Sequence, residues 1–221
     1  MKYPVVIFDL DGTLADTSFG IIHSLKAMEK ELGLAGLPQE TLRKFVGPVF
    51  SEALKEYYHV TEEQVPRMIE VFRKNYAQQG YKQTKPYPGI HRLLKEIKKL
   101  GGKIGVATVK NARMTELTLQ ELGLWDEFDY IASNHGEHID KKTLILQVLQ
   151  ALACDDKSQA VLVGDTHYDG FGAKEAGIAF IAQMYGFGFS QGASPFEGFD
   201  CVFQAHTPEE LASFLIGGGS L

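Results

Sequence analysis

Short apolar runs alternate with helical patterns over most of the chain. The first apolar run, VVIF, spans residues 5–8, and residues 90–100 then place apolar side chains at helical spacing before Gly101 and Gly102. Strands are predicted at the following further runs: 103–108, 128–132, 160–165, 178–182 and 201–204. Helical patterns separate these predicted strands, and one more helical pattern follows the last strand. Such alternation predicts parallel crossover units and hence a doubly wound α/β sheet.

Residues 16–85 interrupt this alternation. They contain three amphipathic helical patterns, at residues 18–34, 51–60 and 65–79, and no pattern typical of a strand. The sheet pattern resumes after the stiff Lys85-Pro86-Tyr87-Pro88-Gly89 segment. The sequence therefore predicts a core domain formed by residues 1–15 and 86–221, with an all-helical cap domain, residues 16–85, inserted after the first strand.

Composition narrows the function classes. Of the 221 residues, 44% are hydrophobic, which is enough for a proper core, and the net charge of −6 argues against sequence-independent nucleic-acid binding. Cys154 and Cys201 have neither metal-site nor disulfide spacing, and we expect both to be buried. No stretch approaches the roughly 18 apolar residues of a membrane span. We expect a soluble, cytoplasmic protein without a membrane or nucleic-acid partner.

Polar residues gather where the predicted strands end. Asp9 and Asp11 follow the first strand, Thr108 ends the next, and Asp165 and Asp169 follow a third. Each alone could be a helix cap or a turn residue. Together they fall at the carboxyl edge of one parallel sheet, which is where ligands bind in such folds. This convergence favours a reactive site.

The spacing of Asp9 and Asp11 suggests a metal. Residues two apart in an extended chain point to the same side, and two close carboxylates repel each other unless a cation lies near them. Such oxygens suit Mg²⁺, with Asp165 as a further ligand. An aspartate beside Mg²⁺ can act as a nucleophile towards phosphate. Asp11 can then supply the proton that the leaving group needs, and the Thr108 hydroxyl can donate a hydrogen bond to the phosphate. A lysine would supply the local positive charge.

These motifs have a known counterpart. FDLDGT, the strand-end threonine, a later lysine and GDTHYD resemble the four motifs of the haloacid dehalogenase-like superfamily, closest to its phosphoglycolate phosphatase-like and 5′-nucleotidase-like branch. The resemblance implies a Rossmann-like core, a C1-type helical cap and Mg²⁺-dependent phosphatase chemistry. It implies that Asp9 is nucleophile and metal ligand, that Asp11 is acid/base and a ligand through its carbonyl, and that Asp165 is a ligand. Asp169 supports the water or the lysine. The candidate phosphate-binding residues are Gly12, Thr13, Thr108, Val109, Lys110 and Lys142.

Two positions depart from the resemblance. Val109 stands where this branch commonly has asparagine, which removes a polar side chain near the phosphate. The motif lysine lies in Asp140-Lys141-Lys142-Thr143, and the pattern of the following helix favours Lys142 over Lys141.

The predicted substrate is a small phosphorylated metabolite, with Arg43 and Lys44 as the cap residues expected to touch it. A phosphomutase and a catalytically weak binding protein are the alternatives. The chain is expected to be a monomer or a homodimer.

Overall fold

A six-stranded parallel sheet forms the centre of the molecule. The computed structural model describes residues 1–46, 49–136, 139–189 and 196–217. The strands, in chain order, are β1 (Val5–Phe8), β4 (Lys103–Asn111), β5 (Tyr130–Asn134), β6 (Ala160–Gly164), β7 (Ala179–Gln183) and β8 (Phe203–Ala205). Their spatial order is β5-β4-β1-β6-β7-β8, so β1 lies between β4 and β6.

Helices cover both faces of this sheet, as the sequence predicted. They are α5 (Ile90–Lys99), α6 (Ala112–Glu121), α7 (Lys141–Ala151), α8 (His167–Ala176) and α9 (Pro208–Ile216). Each face has its own apolar cluster: Val6 and Phe8 of β1 point into one, and Val5 and Ile7 into the other. A strand that is buried on both faces reads as a continuous apolar run, which explains VVIF.

A helical segment follows β1. Its helices are α1 (Ser18–Leu32), α2 (Gln39–Arg43), α3 (Phe50–Tyr58) and α4 (Val65–Asn75), continued by a π-helical turn at Tyr76–Gly80 and a 3₁₀ turn at Tyr81–Gln83. They enclose a third apolar cluster, which Met114 of α6 also joins. Gly20 and Gly80 let α1 and the π turn touch, because a Cβ on Gly20 would collide with the Gly80 carbonyl.

Two local expectations were wrong. Residues 16–85 do contain strand residues, since β2 (Ala15–Asp16) pairs antiparallel with β3 (Lys85–Pro86) where the chain enters and leaves the helical segment. The two cysteines are free and half-buried rather than buried. Within the described part of the chain, no helix combines the length and apolar character that a membrane crossing needs.

Candidate active site

A cleft of about 320 Å³ lies between the carboxyl edge of the sheet and the helical segment. Because β1, β4 and β6 are neighbours, the residues that follow them meet there. The sheet side contributes Asp9, Asp11, Thr108, Val109, Lys110, Asn111, Lys141, Thr166, Tyr168 and Asp169, among others. The predicted convergence of Asp9, Asp11, Thr108 and Asp169 on one cleft is therefore present.

Asp9 occupies the centre of the sheet edge. Its N–H donates to the Val163 carbonyl at 2.9 Å, which ties the end of β1 to β6, and its carboxylate accepts from Lys141 Nζ at 2.6 Å. Burial raises the pKa of Asp9 to about 7, since the loss of water and repulsion by Asp169 and Asp11 outweigh the attraction of Lys141. The carboxyl thus sits in a site that resists a further negative charge.

Lys141 is the lysine of the site. Its ammonium contacts Asp9, Asp169 Oδ1 at 2.6 Å and the Ala107 carbonyl at 2.8 Å, with only 2% of the side chain exposed. Burial opposes its charge, but the two carboxylates outweigh burial and raise its pKa. The preference for Lys142 was wrong, because Lys142 is exposed and does not line the cleft.

Asp165 lies beneath the cleft, directly after β6. It is fully buried and accepts from the N–H groups of Phe187 (2.7 Å) and Gly188 (3.2 Å), and from the Thr13 hydroxyl at 3.3 Å. Burial, together with repulsion by Asp169 and Asp9, raises the pKa of Asp165 well above its usual range. Only a glycine fits at position 12, where φ is +85° and a Cβ would overlap the Asp165 carboxylate.

Asp169 performs two tasks that the sequence left as alternatives. Its Oδ2 accepts from the N–H (3.1 Å) and hydroxyl (2.6 Å) of Thr166, which closes a capping box at the start of α8. Its Oδ1 pairs with Lys141. Asp169 therefore caps the helix and positions the lysine at the same time.

The carboxylates present fit a divalent cation. Asp9, Asp165 and Asp169 offer oxygens that all lie within 4.8 Å of one another, and all three residues are buried. Among the described residues that pair with them, Lys141 supplies the one positive charge, so three acids face one ammonium. Hard oxygen donors with a surplus of negative charge suit Mg²⁺. The side chain of Asp11, predicted as a partner of Asp9, is not part of this group.

Asp11 is held by Lys110 instead. Lys110 Nζ donates to Oδ1 at 2.9 Å and to Oδ2 at 3.2 Å, and the lysine side chain is only 4% exposed. The ammonium also lies 4.6 Å from the centre of the Tyr76 ring. The sequence assigned Lys110 to phosphate, whereas the structure pairs it with the second aspartate.

The remaining motif residues divide between the cleft and its floor. Thr108 is 1% exposed, and its hydroxyl accepts from the Lys110 N–H at 3.3 Å. Thr108 does not end its strand as predicted, since β4 continues to Asn111. Val109 lines the cleft, whereas Gly12 and Thr13 are absent from its lining and pack around Asp165.

The structure does not place the residues predicted to touch the substrate, Arg43 and Lys44, in the cleft lining. Both residues are exposed, and Lys44 lies near the Tyr57 ring. The residues that line the cleft from this segment are Ile21, Phe45, Val49, Phe50, Ser51, Ile69, Phe72 and Arg73. Ile69 and Arg73 are four residues apart and so lie on one face of α4. This spacing was the sequence signal that could have identified them as neighbours on the cleft.

Comparison with known proteins agrees with this geometry. Residues 6–183 match the family model of haloacid dehalogenase-like hydrolases. A phosphoglycolate phosphatase of Aquifex aeolicus is 33% identical over 189 residues, covering 83% of this chain and 85% of the relative. A 5′-nucleotidase of Pseudomonas aeruginosa is 28% identical over 192 residues, covering 85% of this chain and 86% of the relative.

A solved structure gives the same result for the fold. A haloacid dehalogenase-like family hydrolase of Streptococcus pneumoniae superposes with a TM-score of 0.85 at 28% identity, covering 95% of this chain and 97% of that one. The chain therefore belongs to the haloacid dehalogenase-like hydrolase family, as an enzyme of its phosphatase class.

Proposed function

We propose that this enzyme hydrolyses a small phosphomonoester through an aspartyl-phosphate on Asp9. The observation that carries this proposal is the setting of Asp9, whose carboxylate faces the cleft while Lys141 and two further buried carboxylates surround it. A carboxylate at a strand end, beside a fixed cation, is well placed to attack phosphorus. The relatives that act as a phosphoglycolate phosphatase and a 5′-nucleotidase support a small phosphorylated metabolite as substrate.

The reaction has two steps. An Asp9 oxygen forms a bond to phosphorus while the bond from phosphorus to the ester oxygen breaks. Asp11, which enters this step protonated and so without its ion pair to Lys110, gives its proton to that leaving oxygen. Water then attacks the phosphorus, Asp11 takes a proton from it, and Asp9 is released together with inorganic phosphate. The Thr108 hydroxyl, the Val109 N–H and Lys141 stabilise the phosphoryl oxygens throughout.

Mg²⁺ is the proposed cofactor. Asp9 and Asp165 would hold it, with the Asp11 carbonyl as a third donor and Asp169 behind Lys141. When bound, the ion reduces the repulsion between Asp9 and the anionic phosphate. A cytoplasmic location and a monomeric or homodimeric state stay predictions.

The test is phosphate release from a panel of small phosphomonoesters, with Mg²⁺ and with EDTA. We expect Mg²⁺-dependent release by the wild type and a loss of at least about 10³-fold in Asp9→Asn, because the amide cannot form the phosphoenzyme. Asp155→Asn, an exposed aspartate outside the cleft, is the matched control. Undiminished turnover in Asp9→Asn contradicts the mechanism, and no release from any compound contradicts the function.

A further inference from the structure

The wall that the helical segment presents to the cleft is mostly apolar. Three of its rings, Phe45, Phe50 and Phe72, form a contiguous surface, with centroids 5.8 Å apart for the first pair and 4.2 Å apart for Phe50 and Phe72. Ile21, Val49 and Ile69 extend this surface. Of the described residues on this wall, only Ser51 and Arg73 carry a polar side chain.

Arg73 differs from the other cations of the cleft. Lys141 is neutralised by Asp9 and Asp169, and Lys110 by Asp11. Within the described ranges, by contrast, no carboxylate forms an ion pair with Arg73. Its side chain is exposed to solvent at the cleft, and the loss of part of its water there lowers the pKa of its guanidinium. The wall thus holds a solvent-exposed cation that no anion of the described residues balances.

We propose that Arg73 binds an anionic group on the leaving group of the substrate, so that the enzyme selects phosphomonoesters carrying a carboxylate. This inference rests on the proposed phosphatase function and adds a substrate class to it. The planar guanidinium can donate two parallel hydrogen bonds to a carboxylate. Asp9 and Lys141 hold the phosphoryl end of the cleft, and Arg73 belongs to the opposite wall.

The apolar surroundings make this selection stronger. A leaving group rich in hydroxyls would lose its water against Phe45, Phe50 and Phe72 and find few partners there, which is costly for each hydroxyl. A compact or apolar body ending in a carboxylate instead pairs with Arg73 and covers the rings. A neutral sugar would leave both its own hydroxyls and Arg73 without partners, so neutral polyols are expected to be poor substrates.

Two matched pairs of compounds test the proposal, each differing only in the carboxylate: 2-phosphoglycolate against ethyl phosphate, and 4-carboxyphenyl phosphate against phenyl phosphate. We expect the wild type to prefer the carboxylate in at least one pair, by about 10-fold to 100-fold in kcat/KM, as for a charge-assisted contact. In Arg73→Gln this preference disappears through a higher KM, kcat changes little, and hydrolysis of the neutral compound is unchanged. Arg73→Lys should show part of the preference that Arg73→Gln loses, because lysine keeps the positive charge but lacks the planar guanidinium that donates two parallel hydrogen bonds.

Arg67→Gln is the control for loss of charge on the same helix. Arg67 is exposed, outside the cleft lining and paired with Glu70, so Arg67→Gln should keep the wild-type preference. Equal rates within both pairs for the wild type, or a preference that survives in Arg73→Gln, overturns the inference while leaving the phosphatase function intact. No phosphate release from any of the four compounds or from the wider panel overturns the proposed function and this inference with it.

Discussion

The two walls of the cleft differ in charge and polarity. At the sheet edge, charges are dense and mostly paired: Asp9 and Asp169 share Lys141, and Asp11 is paired with Lys110, which leaves Asp165 as the surplus acid. The opposite wall is aromatic and carries Arg73, which has no ion-pair partner in the described part of the chain. A charge already balanced within the protein is fixed in position, whereas an unbalanced one is free for a ligand. We infer that the sheet edge determines the reaction and that the helical wall determines the substrate.

Removing the lysine of the sheet edge should have the largest effect. Lys141→Met leaves Asp9 and Asp169 without their cation, so we expect kcat to fall by about 10³-fold and the free energy of unfolding by about 3–5 kcal/mol. The neighbouring Lys142→Met should change the free energy of unfolding by less than about 0.5 kcal/mol, since that side chain is exposed. Phosphate release and urea denaturation measure the two quantities. Equal effects of the two substitutions would show that the sheet edge does not depend on the Lys141 pairing.

The surplus of carboxylates should make stability depend on pH and metal. The folded pKa of Asp9, about 7, and that of Asp165 lie above their ordinary value, so folded protein keeps protons that the unfolded chain releases above about pH 4. The free energy of unfolding therefore decreases as pH rises from about 4 through 7. We expect the Tm of EDTA-treated protein to be about 5 °C lower at pH 8 than at pH 5. Added Mg²⁺ should raise Tm more at pH 8 than at pH 5.

Asp165→Asn separates this effect from the titration of other groups. It removes one buried acid from the cluster, so both the fall in Tm with pH and the gain from Mg²⁺ should shrink. Asp155→Asn should leave both unchanged, because that residue is exposed. If Asp165→Asn keeps the wild-type dependence on pH and Mg²⁺, the cluster is not the source of either.

The sheet edge was largely predictable because it follows from the chain order. Apolar runs predicted the strands, and parallel strands bring their carboxyl ends together, so Asp9, Thr108 and Asp165 could be placed near one another without coordinates. The lysine could have been placed as well. Lys141 is three and four residues before Leu144 and Ile145, which face the sheet, whereas Lys142 is rotated about 100° away from it.

The helical wall was less predictable because amphipathic patterns do not specify how helices pack together. The apolar face of α4 was evident, yet which of its edges would face the cleft depends on contacts with α1 and α3. Arg43 and Arg73 are both arginines in helices of the same segment, and the sequence alone does not distinguish them. The packing of the helices puts Arg73, and not Arg43, on the cleft. The two-residue pairing of β2 with β3 likewise carries no periodicity that a sequence pattern could reveal.

The smallest predicted effect concerns a residue that joins the two walls. The hydroxyl of Tyr76, in the π turn of the helical segment, lies 2.9 Å from that of Thr118 in α6, while its ring lies beneath Lys110. Tyr76→Phe keeps the ring and removes the hydrogen bond, so the free energy of unfolding should fall by about 1 kcal/mol with kcat changed less than about twofold. Thr118→Val removes the same bond from the other side, and a double-mutant cycle measured by urea denaturation should show that the two losses are not additive. A large fall in kcat for Tyr76→Phe alone would mean that the helical segment controls Asp11 through Lys110. The division between a wall for the reaction and a wall for the substrate would then be wrong.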